Sequence, residues 1–102
     1  MTDRITEKML QIKVDYLNEL TGNPIESWTK RANGGYTANI GNYYVDGAYG
    51  GVALDQITNE GGGVTDVFSN GHMPKRELFY RISAYIDGIE TGRKLPKHSK
   101  AA

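Results

Sequence analysis

Apolar residues in the first twenty positions recur every three or four places. Ile5, Met9, Ile12, Tyr16 and Leu20 follow that spacing, and Leu10, Val14 and Leu17 widen the same stripe. The period is that of an amphipathic helix. It predicts a helix over residues 3–21, with Thr2 as N-cap and Asp3 and Glu7 near its positive end. Thr21-Gly22-Asn23-Pro24 ends it, because glycine suits a left-handed C′ position and proline cannot continue the helix.

The pattern then shortens to a period of two. Trp28-Thr29-Lys30 is a short strand, Ala32-Asn33-Gly34-Gly35 a turn, and Tyr36-Thr37-Ala38-Asn39-Ile40 an alternating strand. Gly41-Asn42 reads as a second turn or bulge. Tyr43-Tyr44-Val45 extends, and Asp46-Gly47 is expected to turn again. Val52–Thr58 is the clearest strand, with Val52 and Leu54 on one side and Ala53, Asp55 and Ile57 on the other. Glu60-Gly61-Gly62-Gly63 is a loop, and Val64–Phe68 a further edge strand or ordered loop. The helical period returns after Pro74, which suits a first helical position. Leu78, Ile82, Tyr85, Ile86 and Ile89 form its stripe, Phe79 lies beside it, and Gly92 is expected to end it. The order α-β-β-β(-β)-α predicts an α+β two-layer sandwich, its terminal helices packed on one face of an antiparallel sheet.

A chain of 102 residues fits one domain, taken as 1–92, with residues 93–102 as a disordered basic tail. Without cysteine there is no disulfide framework and no thiolate metal site. No apolar run reaches the roughly 18–20 residues of a membrane span, and the polar start does not resemble a secretory signal. No membrane partner is therefore expected. An exposed edge strand would allow homo-oligomers to form by sheet extension.

Charge is balanced in sum but segregated. Residues 1–92 hold eight basic and twelve acidic groups, a net of −4, while the tail from Arg93 carries four positive charges and no acid. From Ala32 to Pro74 there are Asp46, Asp55, Glu60 and Asp66, and no lysine or arginine. That stretch cannot supply the clustered cations of a phosphate-binding face. Lys75 and Arg76, at the start of the second helix, form a candidate anion or nucleic-acid site that the tail could extend.

Catalytic chemistry is thinly provided. Ser27, Ser69 and Ser83 have no neighbouring base in sequence, and His72 alone cannot hold zinc. The carboxylates match no Ca²⁺ loop, and neither glycine cluster matches a Walker or dinucleotide fingerprint. No catalytic residue, metal or cofactor is assigned, and the chain is expected not to be an enzyme. Tyrosine is the unusual residue: seven in all, with Tyr43, Tyr44 and Tyr49 close together among glycines. Tyrosine supplies rigid amphipathic contact area at low entropic cost. The candidate binding surface is therefore Tyr44, Asp46, Tyr49, Gly50 and Gly51, with Asn59, Glu60 and Gly62 of the Gly61–Gly63 loop.

Two resemblances follow. The element order, with Lys75-Arg76 opening the last helix, is topologically similar to the double-stranded-RNA-binding domain. Leu17–Pro24, Gly41–Gly51, Asn59–Gly63 and Lys75-Arg76-Glu77-Leu78 resemble a group of small proteins of tailed bacteriophages and prophages, over roughly residues 10–90. The second resemblance implies a setting, the cytoplasm of an infected bacterial host, more than a mechanism. The expectation is an accessory protein that binds a host protein or small ligand. The alternative is nucleic-acid binding through Lys75, Arg76 and the tail.

Overall fold

The computed structural model describes residues 4–94. Helix α1 spans Glu7–Thr21 and strand β1 Trp28–Lys30; β2 is Tyr36–Ala38, β3 Tyr43–Ala48, β4 Gly51–Ile57 and β5 Val64–Asp66; helix α2 spans Lys75–Lys94. The strands form two antiparallel sheets, the hairpin β1-β2 and the three-stranded β3-β4-β5. This is the expected α+β arrangement, with both helices on the sheet face that carries Tyr43, Val45, Val52 and Leu54. Leu10, Val14, Leu17, Leu78, Ile82 and Ile86 meet those residues in one core.

Helix α1 differs from its expectation in start and rotation. Thr6 is the N-cap, its hydroxyl accepting from the Met9 N–H at 3.1 Å, and Gly22 closes the other end at φ +74°. The expected start and the Thr2 cap lie outside the described residues. The buried line is Leu10, Val14, Leu17 and Asn18, while Ile12 is 59 % exposed and Tyr16 is also exposed. Asn18 sets that rotation. It is fully buried, its Nδ2 donates to the Tyr43 carbonyl at 3.0 Å, and its Oδ1 accepts from the Tyr43 N–H at 2.8 Å. One asparagine on a helix thus completes the outer ladder of an edge strand, as a neighbouring strand would.

A second buried amide organises the link from α1 to β1. Asn42 Nδ2 donates to the carbonyls of Pro24 and Ile25, at 2.8 and 3.0 Å, and its Oδ1 accepts from Ser27 Oγ at 2.8 Å. At the other end of the chain Gly92 does not stop α2, which continues through Lys94. The first two residues of the expected tail are helical, and Arg93 donates to the Leu20 carbonyl at 2.5 Å. The rest of the tail lies outside the described residues.

Asp46 and Gly47 do not turn. They stay in β3, opposite Ala53 and Val52, and the reversal falls at Tyr49-Gly50. The third position of the sheet is interrupted. Beyond β5, Val67 donates to the Leu54 carbonyl; the chain then leaves the sheet and rejoins at Met73, which exchanges both backbone hydrogen bonds with Val52 at 2.8 Å. The Met73 side chain enters the core. The neighbouring His72 therefore faces the opposite side of the sheet.

Candidate functional site

Strand parity collects chemistry on the side away from the helices. Tyr44 lies opposite Asp55, and Asp55 opposite Asp66; Asp46 is two places along β3 from Tyr44. One face thus carries three aspartates and a tyrosine. His72 joins them from the rejoining segment, its Nε2 2.8 Å from Asp46 Oδ2. Asp66 Oδ2 accepts from the Gly71 N–H at 2.8 Å, which tethers that segment next to the cluster. Asp66 Oδ1 is buried with no hydrogen-bond partner among the described residues.

The carboxylates feel one another. Partial burial raises the Asp55 pKa above its ordinary value, Asp46 and Asp66 raise it further, and His72 opposes them. Burial followed by repulsion from Asp55 and Asp46 likewise raises Tyr44. A raised carboxyl pKa means that the folded protein holds this proton more tightly than the unfolded chain does. Charged Asp55 therefore costs stability at neutral pH, and the cost disappears as pH falls through the raised pKa and below 3.8. Asp55→Asn is expected to melt higher than the parent near pH 7. The gain should vanish near pH 3, as thermal melts at the two pH values would show; an equal gain at both would remove the electrostatic explanation.

Tyr49 projects from the β3–β4 hairpin beside this face. Its φ is +55° and that of Gly50 is +75°, the sign pattern of a type I′ turn. Such a turn favours asparagine or glycine at its first central position, and a bulky residue there is strained. The Tyr49 side chain is nevertheless 96 % exposed, its ring standing T-shaped to that of His72 with the centroids 5.5 Å apart.

The expected surface is divided. Asp46, Tyr49, Gly50 and Gly51 lie toward the hairpin end, while Tyr44, paired with Asp55, lies nearer the other end of β3. Asn59, Glu60 and Gly62 follow the far end of β4, a strand of seven residues and therefore roughly 20 Å long. The far loop serves local structure. Asn59 Oδ1 accepts from the N–H groups of Gly61 and Gly63, and Glu60 accepts through its backbone carbonyl from the Ala38 N–H. Gly51 also has a packing role, since a Cβ there would lie 2.9 Å from the Met73 carbonyl oxygen. Lys75 lines a groove under the hairpin with Glu7, and Arg76 reaches the Tyr80 hydroxyl along its own helix.

Sequence reasoning missed His72, Asp55 and Asp66 as members of one cluster with Asp46 and Tyr44. Their alternation along β4 and β5 hinted at a shared face, but only the register joins them. Among the described residues no group of three or more aspartate, glutamate or histidine side chains is placed to hold a metal ion. No described helix is long and apolar enough to cross a membrane. Comparison with protein-family models, with curated proteins and with solved structures gave no match.

Proposed function

We propose that this protein acts by binding, and that it presents Tyr49 and the acidic sheet face of Tyr44, Asp46 and Asp55 to a basic segment of a partner protein. The observation that carries the reading is Tyr49 itself. A large aromatic side chain occupies a left-handed turn position that asparagine fills at lower cost, yet it is almost wholly in water. It contributes little to the fold, and backbone strain of this kind, of order 1–3 kcal/mol, persists chiefly where function uses it. Tyrosine beside carboxylates suits lysine and arginine, through cation–π contact and charge pairing. His72, hydrogen-bonded to Asp46, fixes the carboxylate's position. On the resemblance of Leu17–Pro24 and Gly41–Gly51 to small phage proteins, the setting is taken as an infected bacterium and the partner is sought among host proteins.

Tyr49→Asn separates function from folding. The variant keeps an Asx-Gly turn and is expected to melt a few degrees higher, since relief of about 0.5–1 kcal/mol moves the midpoint by several degrees in a domain of this size. Capture of basic host proteins from lysate by the immobilised protein, read by mass spectrometry, should fall at least tenfold in the variant and weaken with salt. Undiminished capture by Tyr49→Asn would dismiss this surface.

A further inference from the structure

The outer edge of β3 is open along part of its length. Asn18 completes the outer ladder at Tyr43 alone. Bonding direction alternates along a strand, so Val45 and Gly47 turn their N–H and carbonyl groups the same way as Tyr43, while Tyr44 and Asp46 turn theirs to Asp55 and Ala53 of β4. Among the described residues no backbone hydrogen bond reaches Val45 or Gly47 from the outer side. No proline, lysine or bulge blunts this stretch of edge. Beside it runs a trough whose helix side is lined by Glu7, Gln11 and Asp15, each one turn of α1 from the next. Gly47 has no side chain, so the middle of the trough is a hollow of about 290 Å³ that reaches Val45 and Val52. The aromatic hairpin β1-β2, with Trp28 and Tyr36 exposed, lies at one end, where Trp28 and Glu26 line the space beside Tyr44.

The charged side chains that line the trough select the occupant. They are Glu7, Asp15 and Glu26, against Lys75 under the β3–β4 turn. Asp46 adds a further carboxylate on the opposite face of the same edge. We propose that β3 takes up an extended basic segment as an added antiparallel strand, bonded to Val45 and Gly47. This rests on the reading of the protein as a binder of basic partners and gives the form in which the segment is held. Antiparallel is the mode of every strand pair in the fold. In such a pair, the residues opposite Val45 and Gly47 make the bonds and share their face, toward the hollow. The residues between them lie opposite Tyr44 and Asp46, on the acidic face. The segment therefore alternates apolar residues with lysine or arginine. A second copy fits poorly, because the register that bonds each Val45 to the other copy's Gly47 sets Asp46 directly against its own counterpart, and like charges placed so repel.

The probe is the end-blocked peptide Lys-Val-Lys-Val-Lys-Val-Lys, labelled for fluorescence anisotropy and added to the full chain. It should bind, and a Glu-Val peptide of the same length should bind about tenfold more weakly or less. On binding, amide exchange at Val45 and Gly47 should slow by about tenfold or more, while Tyr44 and Asp46, already bonded to β4, should change little. Methylating the backbone nitrogens of the valines should abolish binding, and methylating those of the lysines should not. Loss from both methylated peptides, or from neither, would overturn strand addition. So would no binding of the parent peptide, or equal binding of the Glu-Val peptide. Binding that Tyr49→Asn weakens, but that leaves the Val45 and Gly47 amides exchanging, would reject the added strand and keep the acidic face as the docking site. Protection of both amides in a complex indifferent to Tyr49→Asn would keep the strand and dismiss the role of Tyr49. Protection that grows with protein concentration alone would identify a second copy as the occupant and overturn the proposal.

Discussion

Asn18→Ala is expected to lower the stability of the fold by about 3 kcal/mol, on the order of 15 °C in melting temperature for a domain of this size. The side chain is fully buried and makes two hydrogen bonds to one residue, Tyr43, which is itself in the core. Truncation would leave a backbone N–H and a carbonyl without partners and out of reach of water. Each such group costs about 1–3 kcal/mol, far more than the net gain from an ordinary hydrogen bond. Asn18→Asp should also fail, because a carboxylate would accept from the Tyr43 N–H but oppose its carbonyl and bury a charge. The decisive measurement pairs thermal melts with amide exchange. Tyr43 should lose protection first, and a melting shift of only a degree or two would mean that α1 docks through its leucines alone.

Gly51→Ala should follow closely, with a loss of about 2–3 kcal/mol. The added Cβ would stand 2.9 Å from the Met73 carbonyl oxygen and 3.1 Å from the Met73 nitrogen, both backbone atoms that cannot rotate aside. The bridge between Val52 and Met73, with two hydrogen bonds of 2.8 Å, would have to open. His72 precedes Met73, so the same change should pull the imidazole away from Asp46 and weaken capture of a basic partner. Two neighbouring substitutions calibrate the result. At Gly47 a Cβ meets only the Gly51 carbonyl at 3.9 Å, so Gly47→Ala should be tolerated. At Gly50 it meets nothing, and the φ of +75° alone should cost about 1 kcal/mol. If all three variants melt together, close backbone approach at Gly51 is not what matters.

The acidic face and the aromatic hairpin differ in how far they can be read along the chain. Trp28, Lys30 and Tyr36 are local, because a five-residue connection around Asn33-Gly34 pairs β1 with β2 and period two settles their common face. The face of Tyr44, Asp46, Asp55, Asp66 and His72 is not local. Its members span four separate stretches, and one of them reaches the sheet only after the chain leaves and returns at Met73. A single-position slip in any pairing would send these side chains into the core. Grouping Asn59, Glu60 and Gly62 with Tyr49 illustrates the difficulty: they are near in sequence, but β4 holds them apart.

The amino-acid sequence by itself determined the helix–strand–helix order, the placement of most strands, the buried stripe of α2 and the absence of thiol chemistry. Each follows from spacing or composition, and those are properties of short stretches of chain. Tertiary structure alone decided the rotation of α1, the position of the β3–β4 turn and the company kept by His72. Those outcomes depend on which distant backbone groups find hydrogen-bond partners. Asn18 illustrates the point: on a helical wheel a polar residue reads as solvent-facing, and only the unpaired outer edge of β3 makes the interior its lowest-energy place.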